Sequence, residues 1–117
     1  MTELFSTDVY GKFEFIAFHS WPDAPPKCGF LRHPHRHKFY VKWTMAVSSE
    51  TKCIDDRQIE FITKNNEIRD WVLLIIGDET EHWSCEHYAQ AICKQFKCTS
   101  VDVSEDNENG AVVYDLN

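Results

Sequence analysis

The chain reads as an α+β domain in which two strands, a helical middle and two further strands follow one another. Three observations carry this. Apolar residues alternate with polar ones from His35 to Val47, an apolar stripe with helical spacing runs through residues 84–96, and two short β-like runs flank Asp106 to Gly110. No repeat, low-complexity tract or linker divides the 117 residues, so a single domain spans 1–117.

Each element follows in order. Residues 10–19 alternate, with Phe13, Phe15, Ala17 and His19 on one face, and form the first strand. Residues 20–34 carry Pro22, Pro25, Pro26 and Gly29 and form a loop. The long second strand, 35–48, places His35, His37, Phe39, Val41, Trp43, Met45 and Val47 on one face. Residues 48–52 are the turn that ends it. The middle, 59–81, combines a β-like stretch from Ile59 to Ile62 with a helix over 66–76; its apolar run, Trp71 to Ile76, reads as a buried strand or helix segment. Ser84 is the expected N-cap of the next helix, Glu86 suits its first turn, and Cys85, Tyr88, Ala89, Ile92 and Phe96 make its apolar stripe. Residues 101–105 and 111–114 close the chain as a hairpin.

Composition bounds the function. An apolar fraction of 43% and four tryptophans imply a packed core. A net charge of −7 argues against general affinity for nucleic-acid phosphates or anionic lipid. No apolar run approaches the ~20 residues of a membrane helix. Residues 1–5 lack the regions of a signal peptide, and the five cysteines are an odd count with no CxxC pair, so reduced thiols in the cytoplasm are expected.

The histidines are the main chemical signal. His33, His35 and His37 alternate, and the last two share the apolar face of the second strand. If the first two strands pair as a meander, His19 comes up to His35 and His37. Three imidazoles on a rigid sheet, with a fourth position open, suit a catalytic zinc. A solvated cluster of His, Arg and Lys at a strand end is the alternative reading of the same residues.

Further segments extend the pattern. Residues 15–19 (Phe-Ile-Ala-Phe-His), Lys27-Cys28-Gly29 and residues 35–41 (His-Arg-His-Lys-Phe-Tyr-Val) resemble the F-x-A-x-H, K-C-x and H-G-H-N-Y-x-V series of the 6-pyruvoyltetrahydropterin and 6-carboxytetrahydropterin synthases. Ser84-Cys85-Glu86 resembles the T-[ST]-E-N helix start of that family, and residues 104–114 resemble its E-T-[DN]-N-…-V-x-Y ending. The segments occur in family order across nearly the whole chain.

The resemblance implies a tunnelling fold, ββααββ, with a four-stranded antiparallel sheet, helices on one face, and trimers or hexamers closed by a β-barrel. It implies Zn2+ held by His19, His35 and His37, a catalytic base at Cys28, and a pterin substrate gripped by Glu105 and Glu86. The implied activity is that of a carbon–oxygen lyase on 7,8-dihydroneopterin triphosphate or a related dihydropterin, in tetrahydropterin or queuosine-type deazapurine biosynthesis. Three features depart from the family. The Asp-His pair expected ahead of the last helix is absent from residues 63–81, and His82 is the candidate stand-in. The loop from Cys28 to His35 is longer, which leaves His33 as a rival to His35. Arg36 and Lys38 replace the glycine and asparagine of H-G-H-N.

Overall fold

A computed structural model describes residues 5–47 and 59–117. Its element order is β1 (Asp8–His19), β2 (His35–Ala46), α1 (Phe61–Ile75), α2 (Cys85–Phe96), β3 (Ser100–Glu105) and β4 (Asn109–Tyr114). The strands form one antiparallel sheet in the order β1-β2-β3-β4, and both helices pack on one of its faces. The turn expected over 48–52 lies outside the described residues.

Alternation decides which side chains the helices cover. Phe13, Phe15 and Ala17 of β1 are buried, as are Phe39, Val41, Trp43 and Met45 of β2 and Val101 and Val103 of β3. Phe15 stacks on Phe39 at 5.1 Å, and the Tyr88 ring closes on both at 5.0 and 5.2 Å. The β1–β2 register sets His19 directly opposite His35, and Ala17 opposite His37. The meander expected from the sequence is therefore present.

Trp43 is fully buried, and its indole N–H donates to Asn65 of α1 at 2.8 Å. Asn65 in turn donates to the Lys12 carbonyl at 2.9 Å, which ties α1 to β1. Gly11 lies across from Trp43 in the register, and a Cβ there would come within 2.5 Å of the indole. The close approach requires glycine.

The middle of the chain corrects two expectations. The β-like stretch from Ile59 to Ile62 is not a strand: Glu60 accepts from the Ile62 and Thr63 N–H groups and starts α1 at Phe61. The apolar run from Trp71 to Ile76 is helical through Ile75 and only partly buried. Ile68 and Val72, one turn apart, face the core, whereas Leu73 and Leu74 are exposed. A helix has one inward stripe, so consecutive apolar residues cannot all reach the core.

The last helix and hairpin follow the sequence reading closely. Ser84 caps α2, and Cys85, Tyr88, Ala89 and Ile92 are buried beneath it. The hairpin turn is shorter than expected, because β4 begins at Asn109. Asp106 and Asn107 adopt left-handed φ values of 53° and 59°, which reverse the chain within three residues. The loop over 20–34 contains one short helical turn, Pro26–Leu31. Among the described residues no helix is long and apolar enough to cross a membrane.

Candidate metal centre

His19 ends β1 and His35 begins β2, so both lie at the same end of the sheet, with His37 two residues further along the same face. Their rings stand edge-on to one another, with centroids 4.4 Å (His19–His35), 4.8 Å (His35–His37) and 5.1 Å (His19–His37) apart. One ligand nitrogen from each lies within 4.8 Å of the other two, and this group can hold a metal ion. Phe39 forms the apolar floor, 5.5 Å from the His19 ring and 6.3 Å from that of His37.

Each imidazole is oriented from behind through its Nδ1. His19 Nδ1 meets the Trp83 carbonyl at 2.9 Å, and His35 Nδ1 meets the His33 carbonyl at 2.9 Å. His37 Nδ1 meets an Asp106 carboxylate oxygen at 2.7 Å. Carbonyls and carboxylates only accept, so each Nδ1 carries the proton and each Nε2 of the neutral ring keeps its lone pair. The His19 and His35 Nε2 atoms are buried without a hydrogen-bond partner. Buried acceptors left in this state are uncommon. Three inward lone pairs, each backed by a Nδ1–H bond, are the arrangement by which proteins hold transition metals. Burial also lowers the His19 pKa, an effect that the Trp83 hydrogen bond and Glu105 partly offset. That favours the neutral ring a metal needs.

His33 lies before β2 and supplies only its carbonyl, so the ligand register belongs to His35. Glu105, the last residue of β3, comes directly to the imidazoles: its two carboxylate oxygens lie 3.4 Å from His19 Nε2 and 3.7 Å from His37 Nε2. Glu86 sits in the first turn of α2 and accepts from the Ser84 hydroxyl at 3.3 Å. Burial, with the charges of Glu105 and then Glu86, pushes the Cys85 thiol up to about 12. Cys85 therefore stays a neutral thiol beside the site.

Cys28 occupies the helical turn of the loop and is half-buried; its sulfur is not among the atoms that converge with the histidines. His82 hydrogen-bonds the Ser20 hydroxyl through Nδ1 at 3.1 Å, and the Ser20 N–H donates to the Glu81 carbonyl at 3.0 Å. These bonds hold residues 81–83 alongside residues 19–20, which is what delivers the Trp83 carbonyl to His19.

Asp106 is a site residue that sequence reasoning missed. It reads as one polar residue of a turn, yet its left-handed backbone folds its carboxylate back onto His37 and the Lys38 N–H. Those hydrogen bonds, His37 first, hold its carboxyl below the usual range. Asp106→Ala should weaken metal affinity about 10–100-fold, the usual cost of losing an outer partner. Asp106→Asn, which keeps an acceptor but loses the charge, should lose less. Chelator competition measures both.

No protein-family model and no curated protein matches the chain.

Proposed function

We propose that the chain is a zinc-dependent pterin lyase of the tunnelling fold, acting on 7,8-dihydroneopterin triphosphate or a close relative. The observation that carries this reading is the set of three converging Nε2 lone pairs, on the histidines that the synthase motifs mark as ligands. Neutral imidazoles in threes are a familiar ligand set for catalytic zinc. When bound, zinc supplies Lewis acidity toward the hydroxyls of the substrate side chain and so acidifies the adjacent C–H.

The protein residues do the rest. Cys28 is the base that takes the proton from the substrate carbon. The thiol must reach the substrate carbon, not the metal. Glu86 and Glu105 offer carboxylates to the paired N–H donors of the pterin edge and orient the ring. His82 stands in for the missing Asp-His pair as proton relay.

The same reading includes a trimer or hexamer. Among the described residues the sheet leaves β1 and β4 as open edges, and on the face away from the helices Ile16, Phe18, Val112 and Tyr114 are exposed. Closing three sheets into a barrel pairs the edges and covers such residues.

Incubation with 7,8-dihydroneopterin triphosphate, with and without zinc, followed by mass analysis, tests the proposal. The expected result is a zinc-dependent product that has lost the triphosphate, formed slowly because the usual activator of the thiolate is absent. Cys28→Ala should abolish turnover with zinc content and oligomer size unchanged. Turnover that persists in this variant would sink the cysteine mechanism. Only a monomer in sedimentation would count against the barrel.

A second reading is favoured by the absence of Asp-His from residues 63–81. It is a divergent member that binds zinc and a pterin or purine-like ligand without completing the synthase reaction. Tight pterin binding without product would select it.

A further inference from the structure

The carboxylate of Glu105 does more than border the histidines. Its Oε1 lies 3.4 Å from His19 Nε2, and its Oε2 lies 3.7 Å from His37 Nε2. Both imidazoles already commit their Nδ1 proton elsewhere, to the Trp83 carbonyl and to Asp106. In the neutral rings neither Nε2 has a proton to offer Glu105. Lone pairs of a carboxylate and two imidazoles therefore face one another, an arrangement that repels unless a metal ion, or a proton on one of the rings, stands among them.

The 3.4 Å contact with His19 has the spacing of neighbouring ligands on one ion, and the 3.7 Å contact with His37 is slightly longer. The three histidine nitrogens, within 4.8 Å of one another, would draw in around a bound ion. With metal–nitrogen bonds of about 2.0–2.1 Å and metal–oxygen bonds of about 2.0–2.2 Å, adjacent corners of a tetrahedral shell are about 3.4 Å apart. The backbone holds the carboxylate there. Glu105 pairs with Phe39 in the sheet, continues the inward face of Val101 and Val103, and is followed at once by the Asp106 N–H bond to the Lys38 carbonyl at 2.8 Å.

We infer that Glu105 is the fourth protein ligand of the metal, completing a three-histidine, one-glutamate shell in the resting protein. This rests on the metal centre of the proposed function but not on its pterin chemistry, and it adds a resting-state role to the ring-holding one proposed above, which Glu105 can take up only after it has left the metal. A substrate oxygen that is to reach the ion must take the place of Glu105.

The test uses metal alone. The full chain, Glu105→Gln and Glu105→Ala are loaded with Co2+ for visible absorption spectra, and zinc affinity is measured by chelator competition. The native chain should give the intense bands of four-coordinate cobalt. Both variants should lose zinc affinity by at least about tenfold, since even outer partners cost that much, and their cobalt bands should shift and weaken. Glu105→Gln preserves the side-chain shape, and a native far-UV spectrum confirms that it folds. Unchanged affinity and unchanged bands in both variants would overturn the fourth ligand while leaving the three-histidine centre standing. No metal uptake by the native chain would overturn the centre itself, and the fourth ligand with it.

Discussion

Replacing His35 and His37 together by alanine should strip the protein of its metal. The native protein should carry one ion per chain after dialysis, and the double variant almost none. The size of the effect follows from what is lost. Loss of a single outer hydrogen-bond partner costs about 10–100-fold in affinity, and two of three imidazoles are the coordination itself. The fold should persist, because both side chains are only partly buried at the end of β2 and the core begins at Phe39. Metal added to the native chain should also raise its melting temperature, by about 4 kcal/mol of stabilisation at a thousandfold excess over Kd, and should do nothing for the variant. Metal retained at full stoichiometry would overturn the ligand assignment.

Trp43→Ala should be the most damaging single change in the core. Trp43 is fully buried in the C-terminal half of β2, against Gly11 and hydrogen-bonded to Asn65. Truncating a buried tryptophan costs about 3–5 kcal/mol, and the side-chain carbonyl of Asn65 loses its donor as well. A domain of this size holds roughly 5–15 kcal/mol in total, so the variant should be largely unfolded or melt in very little urea. Trp43→Phe should keep most of the apolar area and cost far less. Trp43 is six residues along β2 from His37, roughly 20 Å. Metal affinity of Trp43→Phe should therefore match the native value. A parallel loss of metal and stability in that variant would mean that the site and the core are more tightly coupled than the architecture implies.

Much of this molecule is written in local periodicity. The alternation from Phe13 to His19 and from His35 to Met45 is a property of each segment alone, and each buried face is the one its pattern names. The spacing of Cys85, Tyr88, Ala89 and Ile92, with Ser84 before them, marks α2 in the same way. The middle segment resisted because its local signals conflict. Phe61 and Ile62 look like strand residues, but the cap at Glu60 and the inward pair Ile68 and Val72 make one helix, with Phe61, Ile62, Leu73 and Leu74 facing outward. Which apolar residues of a helix face the core depends on what lies beneath it.

The three histidines were legible for the reason the strands were: a period of two puts His35 and His37 on one face, and a meander brings His19 to them. What surrounds them was not. The carbonyls of Trp83 and His33 orient two of the rings, and a backbone carbonyl has no residue type to signal it. Asp106 reaches His37 only because its own backbone turns left-handed at the end of β3. Glu105 meets His19 and His37 only through the β2–β3 register, which pairs it with Phe39. Sequence determined the faces, because side-chain direction within a strand or helix is set by the residue's own position in the period. Tertiary structure decided the partners, because strand register and turn conformation join groups as far apart as His37 and Asp106.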